Sequence, residues 1–563
     1  MSVSILVRCI RSLLSEPYEP ETWGYLRIGR ETHTLTHWEN IIGRSSGSDI
    51  AIDNPSMGGV HAVLIRTDKG QWKLSDVFGK GGVWVNNDAV SSNGTLVRDG
   101  DTLNFQGSKA RFSDLTAEKK ETLEAQRNPA GKTVSPALTL FELTVFQLFL
   151  LLQHMLSADE VDLLPIALAF AVLILTEWCL YSAMRVIDRS GFEAETLALY
   201  LTTLGLSVAA SSTPGDMYKQ TLLILSAVVL FLLTGWWMRN LNRAVALRYP
   251  IGILALALLA VNVLTGDAVN GASNWLSFGG YSFQPSEFVK AAYIYTGAST
   301  LGRLYHKRNL FGFIVFSAVC VIALALMGDF GTAVVFFVCF LIISYLRSGS
   351  IATLFLAVSG AGMAGFLAVS IRPYIARRFA AWGHVWEDVY DTGYQQTRAM
   401  SAAASGGLFG KGAGSGWLHN ITAANTDMVF AMVCEELGLI IGILMVAAVL
   451  TLAFFTVRSA RSGRSSYYTI AACAATGMLL VQVSLNVFGS LDLLPFTGVT
   501  FPFVSRGGSS LLSCWLLMAF IKSADNRRSA SFAVHPGKMI FHKAPKKKTV
   551  RAVAGRRKKE KVR

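Results

Sequence analysis

Apolar residues are spread unevenly along the 563-residue chain. From about residue 136 to residue 523 they gather into runs of about 17 to 25, each long enough to cross a hydrocarbon core of ~30 Å as an α-helix. Twelve spans are read: 136–157, 163–184, 195–211, 219–237, 247–264, 286–302, 311–327, 331–346, 351–370, 428–457, 467–489 and 507–523. Ahead of them the pattern changes. Short apolar runs (Leu26–Ile28, Ile50–Ile52, Val60–Ile65, Trp72–Leu74, Val83–Val85) alternate with clusters of Gly, Asn, Asp and Ser. Short strands between turn signals predict an all-β sandwich, assigned to residues 1–115. Residues 116–135 read as a polar linker, and residues 526–563 as a basic tail. The opening MSVSILVRCIRSLL is interrupted by Arg8 and Arg11 and runs into a polar segment, so it is not read as a cleavable signal peptide. The expected fold class is therefore a polytopic all-α membrane protein with an N-terminal β-sandwich domain.

The loops test the span count through their charge. Every even-numbered span is followed by basic residues: Arg185 and Arg189; Arg239, Arg243 and Arg248; Arg303, Lys307 and Arg308; Arg347; Arg458, Arg461 and Arg464; Lys522, Arg527 and Arg528. Most short loops after odd-numbered spans lack them, and the first carries Asp159, Glu160 and Asp162. Basic loops stay in the cytoplasm, so both termini are expected there. The long loop 371–427 breaks the pattern with Arg372, Arg377, Arg378, Arg398 and Lys411, which marks it as a place where anions are met.

Composition fits this picture. Charged residues are 16% of the chain, against roughly 25% in soluble domains. The net charge of +14 resides mainly in the tail and the loops, a membrane pattern, and no nucleic-acid partner is expected. The tail from Lys538 to Arg563 suits anionic lipid head groups. Seven cysteines lie scattered, mostly within apolar runs and without CxxC spacing, and read as small buried hydrophobes.

Within the β region, Gly43-Arg44, Asp49-Ile50, His61-Ala62, Leu74-Ser-Asp76 and Asp99-Gly100-Asp101 resemble a forkhead-associated (FHA) domain over about 80 residues. That family reads phosphothreonine with an Arg, a Ser three residues before the His, and a loop Asn. Arg44 keeps the first of these contacts. Gly58 stands at the Ser position, and Gly81, in Gly79-Lys80-Gly81-Gly82, at the Asn. The resemblance implies a degenerate FHA fold used for phospho-independent protein contact. A working phosphothreonine reader, with Lys80 or Ser56 compensating, is the alternative.

Five motifs punctuate the membrane region. They are Asn270 to Trp275 with Gln284-Pro-Ser-Glu287 and Lys290; Gly328-Asp329-Phe-Gly-Thr332; Arg378 with Gly393-Tyr394 and Ser405 to Gly412; Asn425-Thr426-Asp427 with Glu435-Glu436; and Leu494 to Gly498 with Pro502 to Ser510. Intramembrane charges are costly and mark function. Glu287 and Lys290 share a helix face, as an ion pair or as site-lining groups. In this order the motifs resemble the SEDS family (shape, elongation, division and sporulation), the FtsW/RodA/SpoVE-type proteins of bacteria, over about residues 195–525. The family core has ten spans, so the first two are an addition.

The resemblance implies a glycosyltransferase that polymerises lipid II, the lipid-linked disaccharide precursor of peptidoglycan, alongside a class B penicillin-binding protein. Such chemistry needs a base for a sugar hydroxyl and positive charge for a lipid-pyrophosphate leaving group. By match, Asp427 is the catalytic carboxylate, Glu287 and Lys290 line the site, and Arg378 and Lys411 contact pyrophosphate. A divalent cation could assist, though no ligand cluster calls for one. Arg398, Arg506 and Ala404 depart from the family pattern, which usually has Gln, Tyr and Gly there. A lipid II flippase and a non-catalytic scaffold for division or sporulation proteins are the competing readings.

Overall fold

Each apolar run folds as helix, and the β region folds as a sandwich. The computed structural model describes residues 1–527 without 16–19, 46–47, 68–69, 77–81, 92–93, 117, 120–121, 124–133, 187–190, 240, 270–271, 279–280, 300–306, 349–350, 372, 464 and 526. The predicted Gly79–Gly81 loop with Lys80, most of the linker, Arg189, Asn270, Arg303, Arg372, Arg464, Arg528 and the basic tail lie outside the described residues.

The sandwich pairs two sheets. Strands β1 (Gly24–Ile28), β2 (Glu31–Leu35), β3 (Glu39–Gly43), β4 (Ile50–Ala51), β5 (Ala62–Arg66) and β6 (Trp72–Asp76) are followed by β7 (Val83–Val85), β8 (Asp88–Ala89), β9 (Thr95–Val97), β10 (Thr102–Phe105) and β11 (Ser108–Asp114). One sheet runs β2-β1-β11-β10-β7-β8 and the other β4-β3-β5-β6-β9. Alternate residues such as Leu26, Ile42, Leu64, Leu74, Leu103, Phe105 and Phe112 fill the space between them. All five predicted strands are present. The short polar-rich strands β2, β8 and β9 were not legible as apolar runs.

The first helix, α1 (Ser2–Ser15), corrects the sequence-based boundary of 1–115 for the sandwich. It is amphipathic, and Ile5, Leu6, Cys9 and Leu13 join the core of the helical region rather than that of the sheets. Arg8 donates to Thr139 at 3.1 Å, Ser12 donates to Glu193 at 2.6 Å, and Arg458 donates to the Leu13 carbonyl.

The helical region follows as α2 (Pro136–Ser157), α3 (Glu160–Val186), α4 (Glu193–Ser212), α5 (Met217–Met238), α6 (Leu241–Ala246), α7 (Arg248–Thr265), α8 (Pro285–Ser299), α9 (Lys307–Leu326), α10 (Phe330–Ser348) and α11 (Ile351–Ile371). Short helices α12 (Pro373–Ala381), α13 (Tyr394–Gly406) and α14 (Ala424–Asp427) fill the long loop, before α15 (Val429–Leu437), α16 (Leu439–Arg461), α17 (Ser466–Ser490) and α18 (Gly508–Ser523). Among the described residues, α2, α3, α16, α17, α7 and α5 with its leading turn are long and apolar enough to cross a membrane. Helices α9, α10, α11 and α18 hold shorter apolar stretches. The chain is a multi-pass membrane protein.

Helix α4 is central: every side chain from Glu193 to Ala210 is buried, with α1, α2, α3, α5 and α16 among its neighbours. Its two acidic residues are matched. Arg527 bonds Glu193 at 2.9 Å, and Lys522 pairs with Glu195 at 3.0 Å. The predicted span 428–457 is broken in two at Gly438. Its φ of +90° and the Leu408 carbonyl, 2.3 Å from where a Cβ would sit, require glycine there.

The sandwich docks on the loop between α16 and α17. The Glu39 carboxylate accepts from the Ser466 amide at 3.1 Å and from the Ser465 hydroxyl at 3.2 Å. Trp38 meets Tyr468 edge-on with ring centres 6.4 Å apart, and Trp23 packs against Trp38 beneath the Arg66 guanidinium. The long loop lies at the opposite end of the bundle.

Candidate active site

At that opposite end the five sequence motifs converge. The chain from α7 to α8 makes a small antiparallel sheet of β12 (Asp267–Val269), β13 (Ala272–Phe278) and β14 (Tyr281–Phe283). It brings Asn274 and Gln284 to Asp329, whose Oδ2 accepts from both side-chain amides at 3.0 Å. Asp329 caps α10, with Oδ1 accepting from the Thr332 amide at 3.1 Å. Two motifs distant in sequence are therefore one hydrogen-bonded unit. Pro285 opens α8 where its missing N–H does no harm.

One turn into α8, Glu287 and Lys290 pair at 2.6 Å, 3% and 1% exposed respectively. The pair lies beside Cys514 of α18. The two side chains form a buried ion pair, one of the two readings open from sequence.

Asp427 ends the four-residue α14, which follows Ala423 in the left-handed region at φ +63°. Three hydrogen bonds clamp this turn. Ser505 donates its hydroxyl to the Thr426 carbonyl at 2.5 Å, the Arg506 amide donates to the Asn425 carbonyl at 2.8 Å, and Asn486 of α17 donates to the Asp427 carbonyl at 3.0 Å. Arg378 of α12 donates to the Phe496 carbonyl at 3.1 Å, tying the long loop to the same strand of chain. Gly498, at φ +68°, passes so close that a Cβ there would lie 3.1 Å from Asp427 Oδ2. Glycine alone keeps that face of the carboxylate open.

The Asp427 side chain is half-buried. Burial pushes its carboxyl up from 3.8 to about 7. A hydrogen bond from Thr426 and the charge of Arg378 pull it down, and the charge of Asp329 pushes it up. A carboxylate balanced near neutrality is suited to taking a proton.

The other predicted cations have occupations of their own. Lys411 Nζ pairs with Glu435 Oε1 at 3.0 Å, and Glu435 also accepts from the Trp417 and Leu418 amides. Glu436 accepts from Ser211 and from the Gly414 amide. The two glutamates thus pin the glycine-rich loop. The added helix α2 pins it too, with Ser157 donating to the Ala413 carbonyl at 2.8 Å and Gln153 accepting from the Ala413 amide at 3.1 Å. Arg398 donates to the Val389 carbonyl and lies over the Tyr394 ring. Arg506 pairs at 2.5 Å with Asp216, which also accepts from Lys219. In the sandwich, Arg44 is exposed and donates to the Pro55 carbonyl at 3.3 Å, and its amide donates to the Gly58 carbonyl. Sequence reasoning singled out neither Asp329 nor Asn486 as a site residue. An amide near the end of an apolar run, four residues after Gln482, was the available signal for Asn486.

Among the described residues no group of three or more His, Cys, Asp or Glu could hold a metal ion, and three N–H donors occupy Asp329.

The model of the FtsW/RodA/SpoVE family, cell cycle proteins, matches residues 198–530, and the FHA-domain model matches residues 40–106. A probable peptidoglycan glycosyltransferase FtsW of Tolumonas auensis is 32% identical over 351 residues, covering 59% of this chain and 91% of that protein. The peptidoglycan glycosyltransferase RodA of Mycobacterium tuberculosis is 28% identical over 323 residues, 54% of this chain and 69% of its own. Among solved structures, the rod shape determining protein RodA of Thermus thermophilus aligns with 59% of this chain and 94% of its own at 23% identity and a TM-score of 0.44. The family match spans more than half of the sequence and takes in all five motifs, and the chain belongs to the FtsW/RodA/SpoVE family, with an FHA domain ahead of the membrane region.

Proposed function

We propose that the chain is a peptidoglycan glycosyltransferase of cell-wall synthesis that polymerises lipid II at the outer face of the bacterial cytoplasmic membrane, with Asp427 as general base. The observation that carries this reading is the Asp427 carboxyl, raised to about 7 by burial, with Arg378 and Asp329 acting on it from two other motifs. Asp427 takes the proton of an acceptor sugar hydroxyl. The oxygen attacks the donor's anomeric carbon, a glycosidic C–O bond forms, and the bond to the lipid pyrophosphate breaks with inversion. Arg378 stabilises the charge that develops on the departing pyrophosphate. Asp427 then returns its proton to water.

The Glu287–Lys290 pair supports this site from below, holding α8 under the Gln284–Asp329 junction. Lys411 holds the glycine-rich loop. The charge of the loops supports an orientation with both termini in the cytoplasm, Asp427 outside and the FHA domain inside. A class B penicillin-binding protein is the expected enzymatic partner, and anionic lipid the partner of the basic tail. A divalent cation, if it takes part, would be held chiefly by the substrate's own phosphates. A flippase needs a polar path through the midplane. The charges of α8 are instead closed against each other.

The test is polymerisation of lipid II by the full chain in lipid nanodiscs, with and without its transpeptidase. Asp427→Asn is expected to lower polymer formation by about 10²–10⁴-fold, the usual share of a general base. Undiminished polymer from a folded variant would remove Asp427 from the role.

A further inference from the structure

Helix α17 is a 25-residue apolar run with no proline and one asparagine near its far end. A buried amide is costly unless it is bonded. Asn486, 2% exposed, donates Nδ2 to the Asp427 carbonyl at 3.0 Å and to the Val499 carbonyl at 2.9 Å. Two carbonyls can be met only by the NH₂ end of the amide, so chemistry fixes its orientation. The result is a clasp. On one side is the turn that presents the Asp427 carboxylate, and on the other is the strand that follows Gly498, the residue that leaves that carboxylate open. The preceding carbonyls of the turn are held by Ser505 and by the Arg506 amide. The carbonyl of Asp427 itself is held by Asn486.

The near end of α17 lies about 30 Å away, twenty residues at about 1.5 Å each. It begins at Ser465, which caps the helix by accepting from the Tyr467 amide. The next orphan donor, the Ser466 amide, is met by Glu39 of the FHA domain. Negative charge is favoured at a helix N-terminus. Trp38 and Tyr468 close the contact on the apolar side. Glu39 opens β3 and Gly43 closes it, so the docking edge is at the other end of the sandwich from Arg44. A proline-free helix in a close-packed bundle moves as a rod, by shifts of about 1–2 Å. A displacement of about 1 Å at a reacting group can cost up to about a hundredfold in rate.

We propose that Asn486 is a positioning residue for Asp427, and that α17 carries the docking of the FHA domain, through Glu39, to that clasp. The proposal rests on Asp427 being the base. The FHA fold then serves a protein contact within its own chain, and whatever loosens Glu39 from Ser466 slows polymerisation on the other face of the membrane.

The experiment uses the full chain in nanodiscs and reads two quantities: kcat and KM for lipid II, and hydrogen–deuterium exchange of the amides in residues 423–430. Asn486→Ala is expected to lower kcat about ten- to a hundredfold with little change in KM, and to speed exchange at Asp427 and Met428. Glu39→Ala should lower kcat severalfold and speed exchange at the same amides. Glu39→Gln keeps an oxygen for the Ser466 amide and should restore most of the loss. In the Asn486→Ala background, Glu39→Ala should add nothing, because both act on one clasp. Unchanged exchange at 423–430 in Glu39→Ala overturns the link, whatever Asp427 does. Faster exchange with unaltered kcat, while Asp427→Asn is inactive, also overturns it and leaves the base in place. Activity in Asp427→Asn instead sinks the base reading and this proposal with it. Should Asn486→Ala fail to fold, the two Glu39 variants decide alone, since they lie outside the membrane.

Discussion

Glu287 and Asp427 stand near the same end of one bundle, and the protein treats their charges in opposite ways. Glu287 has Lys290 three residues on, at 2.6 Å, and both are sealed from solvent. Asp427 is half-buried, and the charges around it disagree: Arg378 favours its ionised form and Asp329 opposes it. Burial with a matched partner produces a fixed structural pair. Burial with an incomplete match produces a carboxyl that gains and loses its proton near pH 7, which is a chemical tool. Both residues read from sequence as charges in a membrane protein. The arrangement around each separates support from chemistry.

The largest expected effect tests the supporting half of this contrast. Lys290→Met leaves Glu287 as an uncompensated buried charge and should destabilise the fold by about 3–5 kcal/mol. Pairing it with Glu287→Gln removes both charges and should recover most of the loss in a thermal melt. A double variant as unstable as the single one would mean that the pair does more than neutralise itself. Asp427→Asn should do the reverse and raise the melting temperature at pH 8. The carboxyl of Asp427 is raised in the folded state, from 3.8 to about 7. Its contribution to stability is therefore fully present below about pH 4 and is lost as pH climbs to about 7. The melting-temperature gap between Asn variant and native chain should open across that window and stay constant above it. Lost activity with gained stability is the signature expected of a site held under electrostatic tension.

Much of this architecture was legible in the sequence because the membrane simplifies the code. Helices occupy all twelve predicted spans, since apolar length alone selects them. What failed was set by contacts between distant segments. The break at Gly438 arises because the Leu408 carbonyl crowds it, which no periodicity reveals. Helix α1 was assigned to the β region, although its apolar face is the part that docks against α4. In the site, Asp427 and Arg378 were found by motif and do meet through the 496–499 segment. Lys411 was chosen by the same logic and pairs with Glu435. Asp329 was read only as part of a turn motif and Asn486 not at all, because each makes a bond to a residue 45 or more positions away.

A milder test turns on the pH profile of polymerisation. The base must be ionised, so kcat/KM should fall as pH drops below about 7. Arg378→Ala removes a charge that lowers the carboxyl, so the acid limb should move to higher pH. Turnover should also fall by about 10²-fold as the leaving group loses its cation. Asp329→Asn removes the opposing charge and should move the limb the other way. Limbs that stay fixed in both variants would assign the profile to a group other than Asp427.

The smallest effect on turnover is expected at Lys411, and it decides on which side of the contrast this residue belongs. Its partner Glu435 is buried and keeps two backbone donors, the Trp417 and Leu418 amides, when the ammonium is removed. Lys411→Ala should therefore cost about 1 kcal/mol of stability, the scale of one partly exposed charged hydrogen bond. KM for lipid II should stay within about twofold of native, since 1.4 kcal/mol of lost substrate binding would already be tenfold. A tenfold rise in KM with an unchanged melt would instead show Lys411 releasing Glu435 to grip pyrophosphate. The glycine-rich loop would then be a substrate clamp that closes when lipid II arrives, rather than a brace that α2, Glu435 and Glu436 keep in one position.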